Sequence, residues 1–406
     1  MAPNQNLVLL AAAVRKALSS SLVAASKDEV AKKARLDLLD MLPDLERTLL
    51  GPRETLLRLT WTPLTSLSLQ YLTHFNIARH VPLDAPTSYK DLAARAGVDE
   101  SQLRRLVRHA MLNRIFHEPE KDIVAHSPAS RLLATDPQLH GWVALMTDSF
   151  WPATAHAVEA LERWPGSTSP QETSVSIWKR RDTTWFKEIA AQPGGLARFR
   201  DGMAVIGTGE GWEAHYLADN FPWASFPEGT VVDIGGADGH QSIAIAEAHP
   251  HLKMIVQDLI MEDAVVAAHQ AKLSEAVRPR IQFMAHDMFT EQPVKGADVY
   301  FFRCTLHNWA DENVVKVLRA LVPALKPGAR VVVQDNGLAA PGTERLMDEV
   351  NQRNLDVMSM ALTNSKERQQ GEWKALFEEA DARYKWKGAS KPDGSKLWIM
   401  ETEWQP

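Results

Sequence analysis

The chain has 406 residues, more than one ordinary domain holds, so two or three folding units are expected. Apolar residues make up 45% and charged residues 24%, the balance of a globular enzyme, and the formal net charge is −6. An acidic chain is a poor non-specific nucleic-acid binder, and one cysteine, Cys304, excludes a disulfide framework and a cysteine-rich metal site.

The chain opens with a short apolar run, residues 7–14, followed by Arg15 and Lys16. A secretory signal carries its positive charge before the apolar stretch, so this run is not read as one. Leu7, Leu10, Val14 and Leu18 share one helical face. Either its own domain or a partner chain covers such a face. No stretch approaches the ~20 apolar residues of a membrane helix, and the lone cysteine fits a reducing compartment; a cytoplasmic protein is expected. Residues 1–50 read as helices rich in Ala, Leu and Lys, and Gly51-Pro52 closes that region. The leucines from Leu56 to Leu72 predict further helix, with Pro63 starting or kinking it.

Residues 88–127 predict a short helix from Ser88 to Gly97 and a second one capped by Asp99, through Leu103, Val107 and Met111. A hairpin over Ile115-Phe116 and Ile123-Val124-Ala125 completes a winged-helix pattern. Arg104, Arg105 and Arg108 on the second helix suggest DNA binding only in isolation. No other basic stripe exists, so a packing module is expected. Residues 138–220 read as mostly helical and carry Trp142, Trp151, Trp164, Trp178, Trp185 and Trp212. Such aromatics fill a core more often than they line a pocket; Trp151 is a pocket candidate.

From residue 230 onward, short apolar strands at 230–234, 253–257, 281–284, 298–302 and 329–333 alternate with helical stretches. That alternation predicts an α/β fold with a parallel, doubly wound sheet. Residues 396–400 read as a late strand. The first strand runs into Gly235-Gly236-Ala237-Asp238-Gly239, a turn whose glycines let a ligand approach the backbone. No frame gives the G-x-G-x-x-G of a nicotinamide fold. The second strand ends at Asp258, whose carboxylate can accept from ribose hydroxyls or cap a helix.

These residues, with Gln257-Asp258-Leu259, His286-Asp287-Met288-Phe289 and Arg303-x-x-x-His307-Asn308-Trp309-x-Asp311-Glu312, resemble the class I S-adenosylmethionine-dependent O-methyltransferases. More narrowly, the chain is similar to the fungal natural-product branch of the caffeic-acid O-methyltransferase family. The resemblance implies a Rossmann-like methyltransferase sheet over 226–406, a helical and winged-helix dimerisation and substrate domain over 51–225, and a helical dimerisation extension over 1–50. It implies S-adenosylmethionine as cofactor, with the motif from Asp233 through Gly235 and Gly236 under the methionine part. Asp258 would take the ribose, Asp287 and Met288 the adenine, and Arg303 a backbone contact. His307 matches the catalytic base, Asp335 and Glu367 match carboxylates near it, and Met360 and Asn364 match acceptor-pocket positions. A homodimer and a small-molecule natural-product substrate are implied, with no nucleic acid and no membrane as partners.

The residues themselves agree. His307 and Asp335 each follow a strand, at the carboxyl edge where open α/β sheets hold ligands. A phenol ionises near pH ~10, so methyl transfer to it gains from a base. A carboxylate behind the imidazole fixes its tautomer, and the remaining acceleration comes from alignment of the reacting atoms. Ala237 and Asp238 replace a glycine and a small residue of the plant pattern, Asn308 stands where Asp is common, and Asp335 is one methylene shorter than the plant Glu, which puts its reach to His307 in question. The other histidines show no metal spacing, and no metal site is expected. The same branch contains S-adenosylmethionine-dependent pericyclases, which use the fold for dehydration, hetero-Diels–Alder or Alder-ene steps without methyl transfer. A His307–Asp335 hydrogen bond is the expected mark of the methyltransferase.

Overall fold

A computed structural model describes residues 29–406, apart from Thr208, Ile260 and Glu262. The apolar face at residues 7–18 lies outside the described residues. The chain divides into two compact units, one of Met1–Trp61 with Arg345–Met347 and one of Thr62–Glu344 with Asp348–Pro406.

The first unit is dominated by the helical run Glu29–Thr60, broken at Gly51, whose φ of 73° and ψ of 167° leave helical space just before Pro52. Only glycine takes that backbone without strain, and the proline after it opens the next segment. Leu38, Met41, Leu42, Leu49 and Leu56 are all exposed along this run.

The second unit begins with the helix Thr62–His74, in which Pro63 starts the helix as the sequence predicted. Ser88 caps the helix Tyr89–Ala96 and Gly97, at φ 67°, ends it. Asp99 then accepts from the Gln102 amide to open the helix Glu100–Met111. A three-stranded sheet of β1 (Thr87–Ser88), β2 (His117–Glu120) and β3 (Ile123–Ala125) follows the order β1-β3-β2. Tyr89, Leu92, Leu103, Val107, Phe116 and Val124 form its core. Two of the three arginines on Glu100–Met111 are committed internally: Arg104 pairs with Glu100 and Asp122, and Arg108 with Glu118 and Asp122. That neutralises the face a DNA-reading helix would need charged.

The main sheet has seven strands: β4 (Thr230–Ile234), β5 (Lys253–Asp258), β6 (Ile281–Ala285), β7 (Val299–Arg303), β8 (Arg330–Asp335), β9 (Tyr384–Ser390) and β10 (Trp398–Trp404). Their order is β6-β5-β4-β7-β8-β10-β9, with β10 antiparallel to both neighbours and the remaining pairs parallel. Side chains alternate across the central strands. Val232, Ile234, Tyr300, Phe302, Val331 and Val333 pack on the helices Asp311–Leu321 and Gln370–Ala380. Val231, Val299, Phe301 and Val332 pack on His215–Asn220 and His240–Ala248. Both faces are covered, which is why these strands read as unbroken apolar runs. The late strand starts two residues after the predicted start, and β9 has no counterpart in the sequence reading.

Candidate active site

The strand order reverses between β4 and β7, so the loops after these two strands open a crevice at the carboxyl edge of the sheet, where α/β folds bind ligands. Gly235, at φ 77°, faces the Thr305 side chain so closely that a Cβ would sit 2.7 Å from Thr305 Cγ2. A Cβ on Gly236 would fall 2.6 Å from Asp233 Cγ. Both glycines are therefore required by packing beneath the turn. Ala237 adopts φ 48°, so the departure from glycine there is accommodated in the left-handed region. Asp233 is buried and accepts from Ser242 Oγ at 2.7 Å. Burial pushes its acid up to about 7, against the pull of the Ser242 hydrogen bond.

At the end of β5, half-buried Asp258 accepts from Ala237 N at 3.1 Å and from Leu259 N at 2.7 Å, tying the glycine turn to the neighbouring strand. Past β6, Asp287 is exposed and accepts from Phe289 N, while Met288 is half-buried against the main core. At the end of β7, Arg303 donates to Trp212 O at 2.6 Å and to His240 Nε2 at 3.2 Å, and its buried Nε has no partner. Acids at the ends of β5 and β6, a bare glycine turn after β4 and an unused arginine donor after β7 fit a nucleoside carrying an amino-acid tail.

Beside this turn lie His307, Asp335 and Glu367. His307 sits in the single helical turn Leu306–Asn308 after β7, Asp335 ends β8, and Glu367 is carried by the segment after the helix Leu346–Thr363. Asn364, at φ 52°, turns the chain out of that helix. Leu338 N then donates to Arg368 O at 3.0 Å, which lays Glu367 alongside the extension of β8. His307 Nδ1 donates to Glu367 Oε1 at 2.8 Å. Asp335 Oδ1 lies 3.6 Å from the same nitrogen. The expected His307–Asp335 side-chain hydrogen bond is thus replaced by one to Glu367. The shorter Asp335 carboxylate is instead held by two main-chain donors, Asn336 N at 2.9 Å and His307 N at 3.3 Å. Both carboxylates are fully buried, and the imidazole is 15% exposed. Burial opposes a charge on the ring, but the two carboxylates outweigh it and push His307 up to about 9. Burial likewise pushes Asp335 up to about 6, with His307 pulling the other way. The ligand atoms of this trio fall within 4.8 Å of one another, although the sequence spacing gave no expectation of a metal site.

Sequence reasoning missed Arg368, which is fully buried and holds the trio in place. It donates to Asp311 Oδ1 at 2.8 Å and Trp309 O at 2.6 Å, and lies over the Trp373 ring. The signal was present in the charged triplet Lys366-Glu367-Arg368 facing Asp311. Met360 and Asn364 line one small cavity with Ala157, Trp164, Thr173 and Ser174. Asn364 Nδ2 donates to Ser169 O and Glu172 O, so its amide fastens that wall. Trp151 is half-buried and does not line that cavity. It follows the π-helical turn Met146–Phe150.

This sheet, glycine turn and acid ladder define a nucleoside-cofactor α/β protein of the methyltransferase type. Residues 197–383 match the O-methyltransferase domain family. The chain is 38% identical over 358 residues to the chlorophenol O-methyltransferase of Trichoderma longibrachiatum, covering 87% of this chain and 76% of that protein. It is 38% identical over 381 residues to the grayanic acid biosynthesis cluster O-methyltransferase of Cladonia grayi, covering 93% of this chain and 78% of that one. Among solved structures, OxaC in complex with SAH and oxaline superposes with a TM-score of 0.79 at 23% identity, covering 99% of this chain and 98% of that one. LepI in complex with SAM superposes with a TM-score of 0.76 at 23% identity, covering 99% and 100%. These two likenesses show the fold. The chain belongs to the class I S-adenosylmethionine-dependent O-methyltransferase family.

Proposed function

We propose that this protein transfers the methyl group of S-adenosylmethionine to a hydroxyl of an aromatic or polyketide-type natural product, with His307 as the residue that meets the hydroxyl and manages its proton. The observation that carries this reading is the 2.8 Å hydrogen bond from His307 Nδ1 to buried Glu367, with Asp335 behind it, at the carboxyl edge of the sheet. That arrangement fixes the tautomer and leaves Nε2 for the acceptor oxygen. The name of the Trichoderma relative supplies the acceptor type, an aromatic hydroxyl.

The cofactor, when bound, supplies an electrophilic methyl group. Gly235 and Gly236 would sit under its methionine part, Asp258 would accept from its ribose, and Asp287 with Met288 would flank its adenine. Arg303, with its unused Nε, would hold the strand end against the methionine moiety. Met360, Asn364 and Trp151 would shape the acceptor side. The domain reading, a substrate and dimerisation region up to residue 225 and a cofactor region from 226, belongs to the same proposal, as does a homodimer.

The test is an incubation of the full chain with methyl-labelled S-adenosylmethionine and a panel of phenols that includes chlorophenols. Expected is S-adenosylhomocysteine in one-to-one ratio with a methylated ether, lost in His307→Ala. A product of unchanged mass, formed without S-adenosylhomocysteine yet dependent on the cofactor, would establish the pericyclase instead.

A further inference from the structure

Among the described residues, half-buried Arg303 has no carboxylate partner. Its terminal nitrogens donate to a main-chain carbonyl, Trp212 O at 2.6 Å, and to an imidazole, His240 Nε2 at 3.2 Å. Its Nε is buried and has no acceptor. Asp233 feels the Arg303 charge, but burial pushes that acid up to about 7, and its carboxyl accepts from Ser242 Oγ instead. A buried donor on a charged group is costly to leave unpaired. The guanidinium is nonetheless held in place. An arginine only donates, so His240 Nε2 presents its lone pair to Arg303 and the ring proton stands on Nδ1. That proton is donated to Asp238 Oδ1 at 3.1 Å, the oxygen that also accepts from His240 N at 3.2 Å. The hydrogen bond from His240 holds the Asp238 carboxyl down to about 2, so it stays ionised. The three side chains form one directed chain, from guanidinium through imidazole to carboxylate. Gly207 packs against its middle, since a Cβ there would lie 3.9 Å from both Arg303 Nη1 and His240 Nε2.

The place of this chain in the fold names its ligand. Asp238 and His240 flank Gly239 at the far end of the glycine turn, and Arg303 ends the neighbouring strand β7. The tail of S-adenosylmethionine brings three charged groups to that turn: a sulfonium, an ammonium and a carboxylate. A guanidinium repels the first two and pairs with the third through charge-assisted hydrogen bonds. The family resemblance implies only a backbone contact at Arg303. We propose that Arg303 reads the cofactor's carboxylate with its side chain, donating from the buried Nε, and that His240 and Asp238 are positioning residues that aim the guanidinium at it. The inference rests on the cofactor assignment and is independent of whether the methyl group is transferred. Asp238 acts through the tautomer of His240. Without that carboxylate the imidazole proton is free to move to Nε2, and the ring then meets Arg303 donor against donor.

The experiment compares S-adenosylmethionine with its decarboxylated form, which keeps the nucleoside, the sulfonium and the ammonium and lacks only the carboxylate. Dissociation constants for both are measured by calorimetry on the full chain, with no acceptor present. The wild-type chain should bind S-adenosylmethionine at least about tenfold more tightly, the scale of one charge-assisted hydrogen bond. Arg303→Gln should remove that preference, His240→Ala most of it and Asp238→Asn part of it. A role confined to folding would weaken both ligands by the same factor, so variants that keep the wild-type ratio would overturn the inference and leave the cofactor assignment standing. A wild-type chain that binds the two compounds equally would overturn it as well, and that reading needs no variant to fold. A wild-type chain that binds neither compound would sink the cofactor assignment and the inference with it.

Discussion

At the scale of single residues, the division of labour between Glu367 and Asp335 is the point most open to measurement. Glu367 holds the direct bond to Nδ1, whereas Asp335 acts on the ring through charge at 3.6 Å. Glu367→Gln should lower kcat by about 10²-fold or more, the scale of a mispositioned acid–base group, and should move the limb of the pH profile set by His307 down toward the ordinary histidine range. Asp335→Asn should lower that limb by less. It should also leave stability unchanged or raised near pH 8, because burial, with the Glu367 carboxylate beside it, disfavours the Asp335 charge. The same shifts set a pH dependence of folding. A histidine raised in the folded state to about 9 gives stability that is complete below its unfolded value near ~6.5 and lost as pH rises through 9. An acid raised in the folded state to about 6 costs stability as pH climbs from its unfolded range near ~4 up to 6, so its loss is nearly complete before the histidine begins to titrate. From pH 6 to pH 9.5 the histidine dominates, so the unfolding free energy should fall by at most about 3 kcal/mol and the melting temperature with it. His307→Gln should flatten the upper part of that fall, and a wild-type curve that rises over this interval would contradict the charge assignment.

Elements decide which of the residues named from the sequence come together. The strands β4 to β8 were legible because both sheet faces are covered, so each strand is an apolar run bounded by polar turns. The strand β9 was not, since Tyr384 and Trp386 alternate with lysines and carry no glycine or proline boundary before them. His307, Asp335 and Glu367 were legible as a set through their motifs. Which carboxylate reaches the ring was not, because that depends on the path of the segment after Leu346–Thr363, turned by Asn364 and laid beside β8 by pairing around Gly337 and Arg368. No local periodicity encodes that path. Arg368 clamps it, and each of its charge-assisted bonds is worth about 1.5–3 kcal/mol. Arg368→Met should therefore destabilise the chain by about 2–4 kcal/mol in urea unfolding, the partial exposure of Asp311 keeping the loss moderate. It should also raise KM and lower kcat together, since Glu367 and the 306–309 turn lose their common anchor. A variant with unchanged midpoint and unchanged kinetics would show that the clamp is dispensable. The glycine turn gives a second case at this scale. Gly235→Ala drives a methyl into Thr305 and strains a backbone at φ 77°, so it should weaken S-adenosylmethionine binding about tenfold or more by calorimetry.

At the scale of the whole molecule, the surface of the helical run Glu29–Thr60 poses a different question. Leu38, Met41, Leu42, Leu49 and Leu56 are between 53% and 66% exposed. Single exposed leucines need no explanation, but several on one run exceed what a monomer ordinarily shows to water. The dimer implied by the family resemblance gives this surface an occupant, a second copy presenting the same row, as a two-fold interface requires. If so, charge at the row should separate the subunits without touching the trio around His307. Leu42→Glu combined with Leu49→Glu should convert a dimer to a monomer in sedimentation velocity. A wild-type chain that sediments as a monomer at micromolar concentration would refute the dimer outright. The activity of the separated chain carries the second half of the argument. The His307 trio and the glycine turn are built within Thr62–Glu344 and Asp348–Pro406. A monomer that keeps S-adenosylmethionine affinity but loses acceptor turnover would place the partner's contribution on the acceptor side of the site, and one that keeps both would make dimerisation a matter of stability alone.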